Sequence, residues 1–213
     1  MKVEKSQMLL YAVTDSGWLN GRSLAEDVIK ALKGGATFLQ LREKELDRES
    51  ILKEAIEIKQ AAVQFGVPFV INDDPAIAKE CDADGVHVGL SDAEIGKARE
   101  LLGPDKIIGA SAHNVEEALQ AQAEGADYLG VGSVFTTSTK KNVQNMPKET
   151  LKAICEAVDI PVVAIGGINE NNVDELCGTG VDGVAVVSAI FAKEDIEMAA
   201  ANLRQKALKV RGW

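Results

Sequence analysis

Cysteine, proline and aromatic residues are scarce in this 213-residue chain, which has 3 cysteines, 5 prolines and 4% aromatic residues. Cys81, Cys155 and Cys177 lie far apart and form no C-x-x-C pair, so neither a disulfide framework nor a zinc site is indicated. The chain has no low-complexity tract and is 46% hydrophobic, which excludes a disordered protein.

Long apolar runs are missing as well. The segment from Met8 to Val13 is too short for a signal peptide, and no run approaches the ~18 apolar residues of a membrane span. Free cysteines suit a reducing compartment. We therefore expect a cytoplasmic protein that does not bind membranes.

Basic residues are outnumbered by acidic ones, 23 against 33, which gives a formal net charge of −10. Because nucleic acids and anionic membranes are bound through basic surfaces, neither is expected as the main partner. The length fits one domain. We predict a single domain over residues 1–213, with residues 1–7 as a polar N-terminal extension.

Short β-branched segments alternate with longer helical patterns along the whole chain, which is typical of βα units around a parallel sheet. Helix-to-strand turns recur with a period of two such units. This regularity predicts an α/β fold, a single (β/α)8 TIM barrel, over an open doubly wound sheet, since no G-x-G-x-x-G follows the first strand. The predicted strands are Met8–Thr14, Thr37–Arg42, Pro68–Asn72, Gly85–Val88, Ile107–Ser111, Tyr128–Val131, Pro161–Ile165 and Gly183–Val187.

Polar side chains follow several of these strands, at the end where active sites of such barrels form. Arg42 and Lys44 are two residues apart, so an extended chain would point both to one face, where they could bind a diphosphate. The alternative is that they pair with Glu43, Glu45 or Asp47 on a solvated loop.

Carboxylates follow two adjacent strands. Asp73 and Asp92 could share a Mg²⁺ ion, which proteins commonly hold with one or two carboxylates plus substrate phosphate. The alternative is that Asp74 or Asp92 caps a helix, because each precedes a helical pattern. Asp73 is the better candidate ligand.

Phosphate sites are indicated at two other strand ends. Gly166 and Gly167 after strand 7, with Val187 and Ser188 after strand 8, occupy the usual phosphate position of these barrels, although two glycines can also merely permit a tight turn. The aperiodic segment 133–147 carries hydroxyl and lysine side chains. It could close over a second phosphate, or could be a solvated loop.

Two histidines and a serine allow more than one interpretation. His87 faces away from its flanking valines, so it either points inward to a ligand or lies under a helix. His113 precedes a helix, and it too could have either a structural or a catalytic role. Ser111, at the end of strand 5, could donate to a phosphate or to local backbone.

These motifs occur together in one known order. They are Gln40-Leu41-Arg42-Glu43-Lys44, Ile71-Asn72-Asp73-Asp74, Ala83-Asp84-Gly85-Val86-His87-Val88-Gly89 with Asp92, Ile108-Gly109-Ala110-Ser111, Thr137-Ser138-Thr139-Lys140, Ala164-Ile165-Gly166-Gly167-Ile168 and Val187-Ser188. The pattern resembles the thiamine phosphate synthase family over nearly all of the chain. One departure is Ser133 and Thr136, where family members often have proline.

The resemblance implies a transferase. It would condense 4-amino-2-methyl-5-(diphosphooxymethyl)pyrimidine with thiazole phosphate, using Mg²⁺ and a dissociative route, to give thiamine phosphate and diphosphate. It places Arg42, Lys44, Ser111 and Lys140 in catalysis and Asp73 and Asp92 on the metal. The implied substrate-binding residues are Gln40, Leu41, Arg42, Glu43, Lys44, Asn72, Ser111, Thr137, Ser138, Thr139, Lys140, Gly167, Val187 and Ser188.

Rivals remain. A thiazole tautomerase shares this barrel but would need a positioned acid–base residue and no combined cation and carboxylate set. A non-catalytic barrel that binds a phosphate ligand is the alternative from another class. Barrels of this type often associate, so a homo-oligomer is compatible with the sequence.

Overall fold

Eight parallel strands form a closed barrel in the computed structural model, which describes residues 3–89, 95–136 and 145–212. Each strand pairs with the next, and β8 pairs with β1, with Leu10 beside Val184. This confirms the predicted (β/α)8 barrel. The strands are β1 Leu10–Val13, β2 Phe38–Leu41, β3 Phe69–Asn72, β4 Gly85–Val88, β5 Ile107–Ala112, β6 Tyr128–Val131, β7 Val162–Ile165 and β8 Gly183–Val186.

Helices surround the barrel. Their bounds are α1 Leu24–Lys33, α2 Arg48–Phe65, α3 Pro75–Glu80, α4 Ile95–Leu102, α5 Val115–Ala123, α6 Lys148–Ala157, α7 Ser188–Phe191 and α8 Ile196–Arg211, with 3₁₀ turns at Lys5–Met8, Ser16–Trp18 and Val173–Leu176. Within the described ranges, none of these helices is both long enough and apolar enough to cross a membrane.

The connection between β7 and β8 departs from the helix that the βα pattern predicts. It contains only the 3₁₀ turn Val173–Leu176. Asn172 Oδ1 accepts a hydrogen bond from the Asn169 amide, and Asn169 Oδ1 accepts one from the Asn171 amide. Such side-chain acceptors satisfy backbone N–H groups outside a helix, which explains why an α-helix does not start here.

Side chains alternate along each strand between the barrel interior and the layer beneath the helices. An interior cluster of apolar residues fills the end of the barrel where the strands begin. We call Val3, Met8, Phe38, Val70 and Ile107 the floor. Two residues further along β2 and β3, the same alternation brings Gln40 and Asn72 to the opposite end, which we call the mouth.

The N-terminal segment packs against the barrel. Val3 and Met8 belong to the floor, while Arg211 on α8 donates to the Lys5 carbonyl at 2.8 Å. Lys5 also pairs with Asp182, with 3.4 Å between Nζ and Oδ1. The described part of the predicted polar extension therefore covers the end of the barrel opposite the mouth.

Candidate active site

A cavity of about 560 Å³ opens at the mouth, where the strands end. Nine of the residues predicted to bind substrate or metal line it together. They are Gln40, Arg42, Lys44, Asn72, Asp73, Ser111, Gly167, Val187 and Ser188.

Two predicted substrate-binding side chains do not line this cavity. Leu41 is 1% exposed and packs in the layer between strands and helices. Glu43 accepts a hydrogen bond from the Thr14 hydroxyl at 3.4 Å, and its burial raises the pKa of its carboxyl above the usual value. Strand alternation turns the side chains of residues 41 and 43 away from the face that carries Gln40, Arg42 and Lys44, and substrate binding by Leu41 and Glu43 stays a prediction.

Five predicted site residues lie outside the described residues. They are Asp92, the proposed second metal ligand, and Thr137, Ser138, Thr139 and Lys140 of the segment after β6. The described residues on either side of that segment approach one another. The Met146 amide donates to the Ser133 carbonyl at 2.7 Å, and Asn145 Nδ2 donates to Thr136 Oγ1 at 3.1 Å.

Arg42 is held at the edge of the cavity by the loop after β1. Its backbone amide donates to Thr14 Oγ1 at 3.0 Å, and its guanidinium lies 3.6 Å from the Asp15 carboxylate. This partner differs from the three acidic residues that the alternative interpretation proposed. A contact of 3.6 Å is longer than a direct hydrogen bond, so an anion in the cavity can compete for the guanidinium.

Asp73 and Asp74 divide the two predicted roles between them. The Ile77 amide donates to Asp74 Oδ1 at 2.8 Å, so Asp74 is the N-cap of α3. Asp73 lines the cavity instead. Its backbone has φ +63° and its amide donates to the His87 carbonyl at 2.8 Å, while its Oδ2 accepts from Asn72 Nδ2 at 2.6 Å.

The charge of the cavity is opposite to that of the whole chain. Among the described residues, three cationic side chains line it, those of Arg42, Lys44 and Lys193, against one carboxylate, that of Asp73. A cleft lined with one sign of charge attracts ligands of the other sign. The cavity is therefore suited to polyanionic small molecules even though the chain carries −10.

The surroundings of Asp73 suit Mg²⁺. One protein carboxylate next to an anion-binding surface fits the way this ion is usually held, by one or two carboxylates plus phosphate oxygens. The described residues contain no cluster of three or more His, Cys, Asp or Glu suited to a metal.

The ends of β7 and β8 form another side of the cavity. Gly167 has φ +68°, and a Cβ at this position would come within 2.3 Å of the Thr136 carbonyl oxygen. Asn172 Nδ2 fixes the turn by donating to the Gly167 carbonyl at 3.0 Å. Beside it, Ser188 begins α7 and faces the same cavity.

An arginine on the outer side holds α7 in place. Arg22 donates to the Phe191 carbonyl at the end of α7 and to the Trp18 carbonyl, both at 3.0 Å. Its Nε also donates to the fully buried Asp27 at 2.7 Å. A buried charge such as that of Asp27 needs a partner of opposite charge. Because the same arginine also binds the end of α7, it holds the helix that begins at Ser188.

The two histidines lie at different depths in the cavity. His87 points inward, with Nδ1 3.0 Å from Tyr128 Oη and Nε2 3.2 Å from Ser111 Oγ. His113 lies at the rim of the cavity and contacts Glu117 with 2.9 Å between Nδ1 and Oε2.

Several lining residues were not predicted from the sequence. They include Tyr11, Asn169 and Lys193. Tyr11 lies in an apolar strand, where a tyrosine is usually interpreted as a core residue. It is two residues before Val13, so both side chains point into the barrel interior. Lys193 follows α7 on an exposed turn, and its sequence pattern carries no sign of a cavity.

A family model and sequence comparisons agree on one relationship. The model described as thiamine monophosphate synthase matches residues 10–190. A thiamine-phosphate synthase of Clostridium novyi (strain NT) is 49% identical over 195 residues, which cover 91% of this chain and 96% of that protein. One from Clostridium tetani (strain Massachusetts / E88) is 46% identical over 194 residues, covering 91% and 93%.

Solved structures give the same relationship. Thiamine phosphate pyrophosphorylase from Pyrococcus furiosus has a TM-score of 0.89 and 40% identity, with 97% of this chain and 98% of that chain covered. The structural and the sequence matches each cover most of both chains that are compared. The relatives are transferases of thiamine biosynthesis. The chain is therefore an enzyme of that kind, and it belongs to the thiamine monophosphate synthase family.

Proposed function

We propose that this enzyme condenses 4-amino-2-methyl-5-(diphosphooxymethyl)pyrimidine with thiazole phosphate, in a Mg²⁺-dependent reaction that gives thiamine phosphate and diphosphate. The observation that carries the proposal is the cavity at the mouth, in which nine residues predicted for this reaction meet. They include both cations predicted for the diphosphate and a carboxylate predicted for the metal, Arg42, Lys44 and Asp73.

The bond changes explain why the cavity is cationic. The C–O bond between the pyrimidine methylene and the diphosphate breaks, and the thiazole nitrogen supplies the electron pair for the new C–N bond. Negative charge develops on the leaving diphosphate. Arg42 and Lys44 stabilise that charge, which is the kind of preorganised electrostatic contact that lowers a barrier most. The thiazole nitrogen carries no proton, so no general base is required.

Mg²⁺ would be held by Asp73 together with the diphosphate and, as the resemblance implies, Asp92. The ion would neutralise part of the charge on the leaving group. The amide of Asn72, which donates to Asp73 Oδ2, orients the carboxylate. The φ of +63° at Asp73 turns the residue from β3 toward the cavity.

The remaining assignments divide the substrates between two sides of the mouth. Gln40, Asn72 and Ser111, with Lys140, would bind the pyrimidine diphosphate. Gly167, Val187 and Ser188, with Thr137, Ser138 and Thr139, would bind the thiazole phosphate. Exclusion of water matters for a dissociative route, because a methylene cation formed in the cavity would otherwise be trapped by water.

A steady-state assay with both precursors tests the proposal. We expect thiamine phosphate and diphosphate to form in equal amounts, only when both substrates and Mg²⁺ are present. Omission of each substrate in turn is the control. Binding of both substrates without product would instead support a non-catalytic barrel, and isomerisation of a thiazole alone would support a tautomerase.

We also propose that residues 1–213 act as one catalytic domain, and that its free cysteines place it in the cytoplasm. Cell fractionation tests the location. Sedimentation of the purified chain measures its oligomeric state, and a homo-oligomer would agree with the sequence-based expectation.

A further inference from the structure

A continuous line of polar contacts crosses the barrel interior below the cavity. Gln40 Nε2 donates to Tyr11 Oη at 2.5 Å, and Tyr11 Oη lies 2.8 Å from Tyr128 Oη. Tyr128 Oη is 3.0 Å from His87 Nδ1, and His87 Nε2 is 3.2 Å from Ser111 Oγ. The line joins two predicted substrate-binding side chains through three residues with no assigned role.

The rings in this line are fixed. Tyr11 and Tyr128 are 1% and 0% exposed, and both pack edge-on against Phe38, with ring centroids 4.7 and 5.3 Å apart. Burial raises the pKa of both tyrosines, so their hydroxyls stay protonated near neutral pH. Each hydroxyl therefore has one proton to donate.

Counting these protons gives the line a direction. With Gln40 Nε2 donating to Tyr11 Oη, both buried hydroxyl protons have an acceptor only if Tyr11 donates to Tyr128 and Tyr128 donates to His87 Nδ1. A neutral His87 that accepts at Nδ1 carries its proton on Nε2 and donates it to Ser111 Oγ. Ser111 lines the cavity, and in this direction its own hydroxyl proton is available to a ligand there.

Two strand glycines make room for this arrangement. A Cβ on Gly109 would come within 2.1 Å of the Tyr128 ring, and one on Gly130 would come within 3.1 Å of the His87 ring. Glycine weakens a strand interior, so its presence where a ring approaches the backbone indicates that the rings need this space.

We propose that Tyr11, Tyr128 and His87 form a hydrogen-bond relay of fixed direction that positions the Gln40 amide and the Ser111 hydroxyl together. At one end, Ser111 presents a donor, as an anionic leaving group needs. At the other, Gln40 presents its Oε1 acceptor and a second Nε2 proton, which match an amino group next to a ring nitrogen. The reverse direction would turn lone pairs of Ser111 toward the anion. The link to the substrate rests on the proposed function, whereas the direction of the relay does not.

The tautomer of His87 tests the direction without any turnover. The chain has two histidines, so a long-range ¹H–¹⁵N spectrum contains two imidazole patterns, and the His113→Gln variant identifies that of His87. We expect neutral His87 with its proton on Nε2. In Tyr128→Phe, which removes the donor to Nδ1, the population with the proton on Nδ1 should rise. Wild-type His87 protonated on Nδ1, or on both nitrogens at pH 7.5, overturns the proposal.

Kinetics test whether the relay acts on catalysis. In Tyr128→Phe we expect kcat to fall about tenfold, with KM for thiazole phosphate within about twofold, because one hydrogen bond strengthened in the transition state is loosened. Thr179→Val is the matched control. It also removes a buried hydroxyl, which donates to the Leu176 carbonyl at 2.7 Å outside the cavity, and its kcat should stay within about twofold.

A double-variant cycle separates a positioning role from a structural one. If the relay acts through Ser111, Tyr128→Phe should cost little once Ser111→Ala is present. Fully additive losses, or equal losses in Tyr128→Phe and Thr179→Val, overturn the proposal. If the wild-type enzyme forms no product from the two precursors, the proposed function fails. The relay is then judged by the His87 tautomers of wild type and Tyr128→Phe alone.

Discussion

The floor and the mouth of the barrel are built from the same strands but from different residue types. Phe38 and Val70 at the floor are followed two residues later by Gln40 and Asn72 at the mouth. Every floor residue is apolar and buried, while the mouth holds cations, amides and a carboxylate. One strand therefore contributes stability at its start and chemistry at its end, and substitutions at the two ends should have separable effects.

The largest effect is expected at the floor. Phe38→Ala removes a ring that is 0% exposed and packs against both tyrosines. We expect it to lower the free energy of unfolding by about 3–5 kcal/mol, as large-to-small changes in cores do. Urea unfolding measures this loss. A change below about 1 kcal/mol would mean that the floor is not where the stability of the barrel lies.

Charged residues at the mouth should show the opposite pattern. Arg42→Ala should lower turnover by at least about 10²-fold, because it removes a contact to charge that develops in the transition state. Asp73→Asn should lose a similar factor, and asparagine tolerates the φ of +63° at this position. The free energy of unfolding should change little in either variant.

Arg48→Ala is the matched control for Arg42. Arg48 pairs with Glu80 at 2.6 Å on the outer surface, away from the cavity, and such exposed pairs contribute little. Its turnover should equal that of the wild type. Near-normal turnover in both Arg42→Ala and Asp73→Asn, with folding intact, would contradict the assignment of the diphosphate site.

A smaller effect on stability is expected on α2, outside the floor and the mouth. Glu54 Oε2 is buried and has no hydrogen-bond partner among the described residues. Burial, with Glu43 and Glu57 nearby, raises the pKa of Glu54 to about 7. The protonated form is thus favoured by folding, so stability is lost as the pH rises from about 4.5 to about 7.

Glu54→Gln should remove that loss. We expect it to raise the free energy of unfolding by about 1 kcal/mol at pH 8, allowing for partial solvent exposure, and to have almost no effect at pH 4. Glu100→Gln, an exposed glutamate on α4, is the control. Equal effects of Glu54→Gln at both pH values would show that Glu54 does not titrate as described.

Most of the fold could be predicted from the sequence, because strand and helix periods differ and recur eight times. The predicted strands at 85–88 and 128–131 match the observed bounds. The replacement of an α-helix by a 3₁₀ turn between β7 and β8 could not be predicted from the period alone, because it depends on the side chains of Asn169 and Asn172, which bind backbone amides.

The mouth was predicted where local alternation sufficed. The side chains of Gln40, Arg42 and Lys44 point to the same side of β2 and line the cavity, whereas those of Leu41 and Glu43 do not line it. The relay could not be predicted in this way. Its contacts join residues on β1, β4 and β6, and such pairings depend on how a closed barrel brings distant strands together.

The few aromatic residues of the chain nevertheless indicate the relay. The chain has only two tyrosines, and both lie in the relay. In a core that needs only volume, leucine or phenylalanine would serve at either position. Tyrosine in an apolar strand is better explained by a need for its hydroxyl.

Gly109 and Tyr128, which face each other on β5 and β6, have a consequence for how this sequence can change over time. Any side chain at position 109 would overlap the Tyr128 ring, so that position is closed to substitution until residue 128 becomes smaller. The order of the two changes is therefore constrained. Relatives with a smaller side chain in place of the tyrosine are free to vary at the glycine, and relatives that keep the tyrosine should keep the glycine.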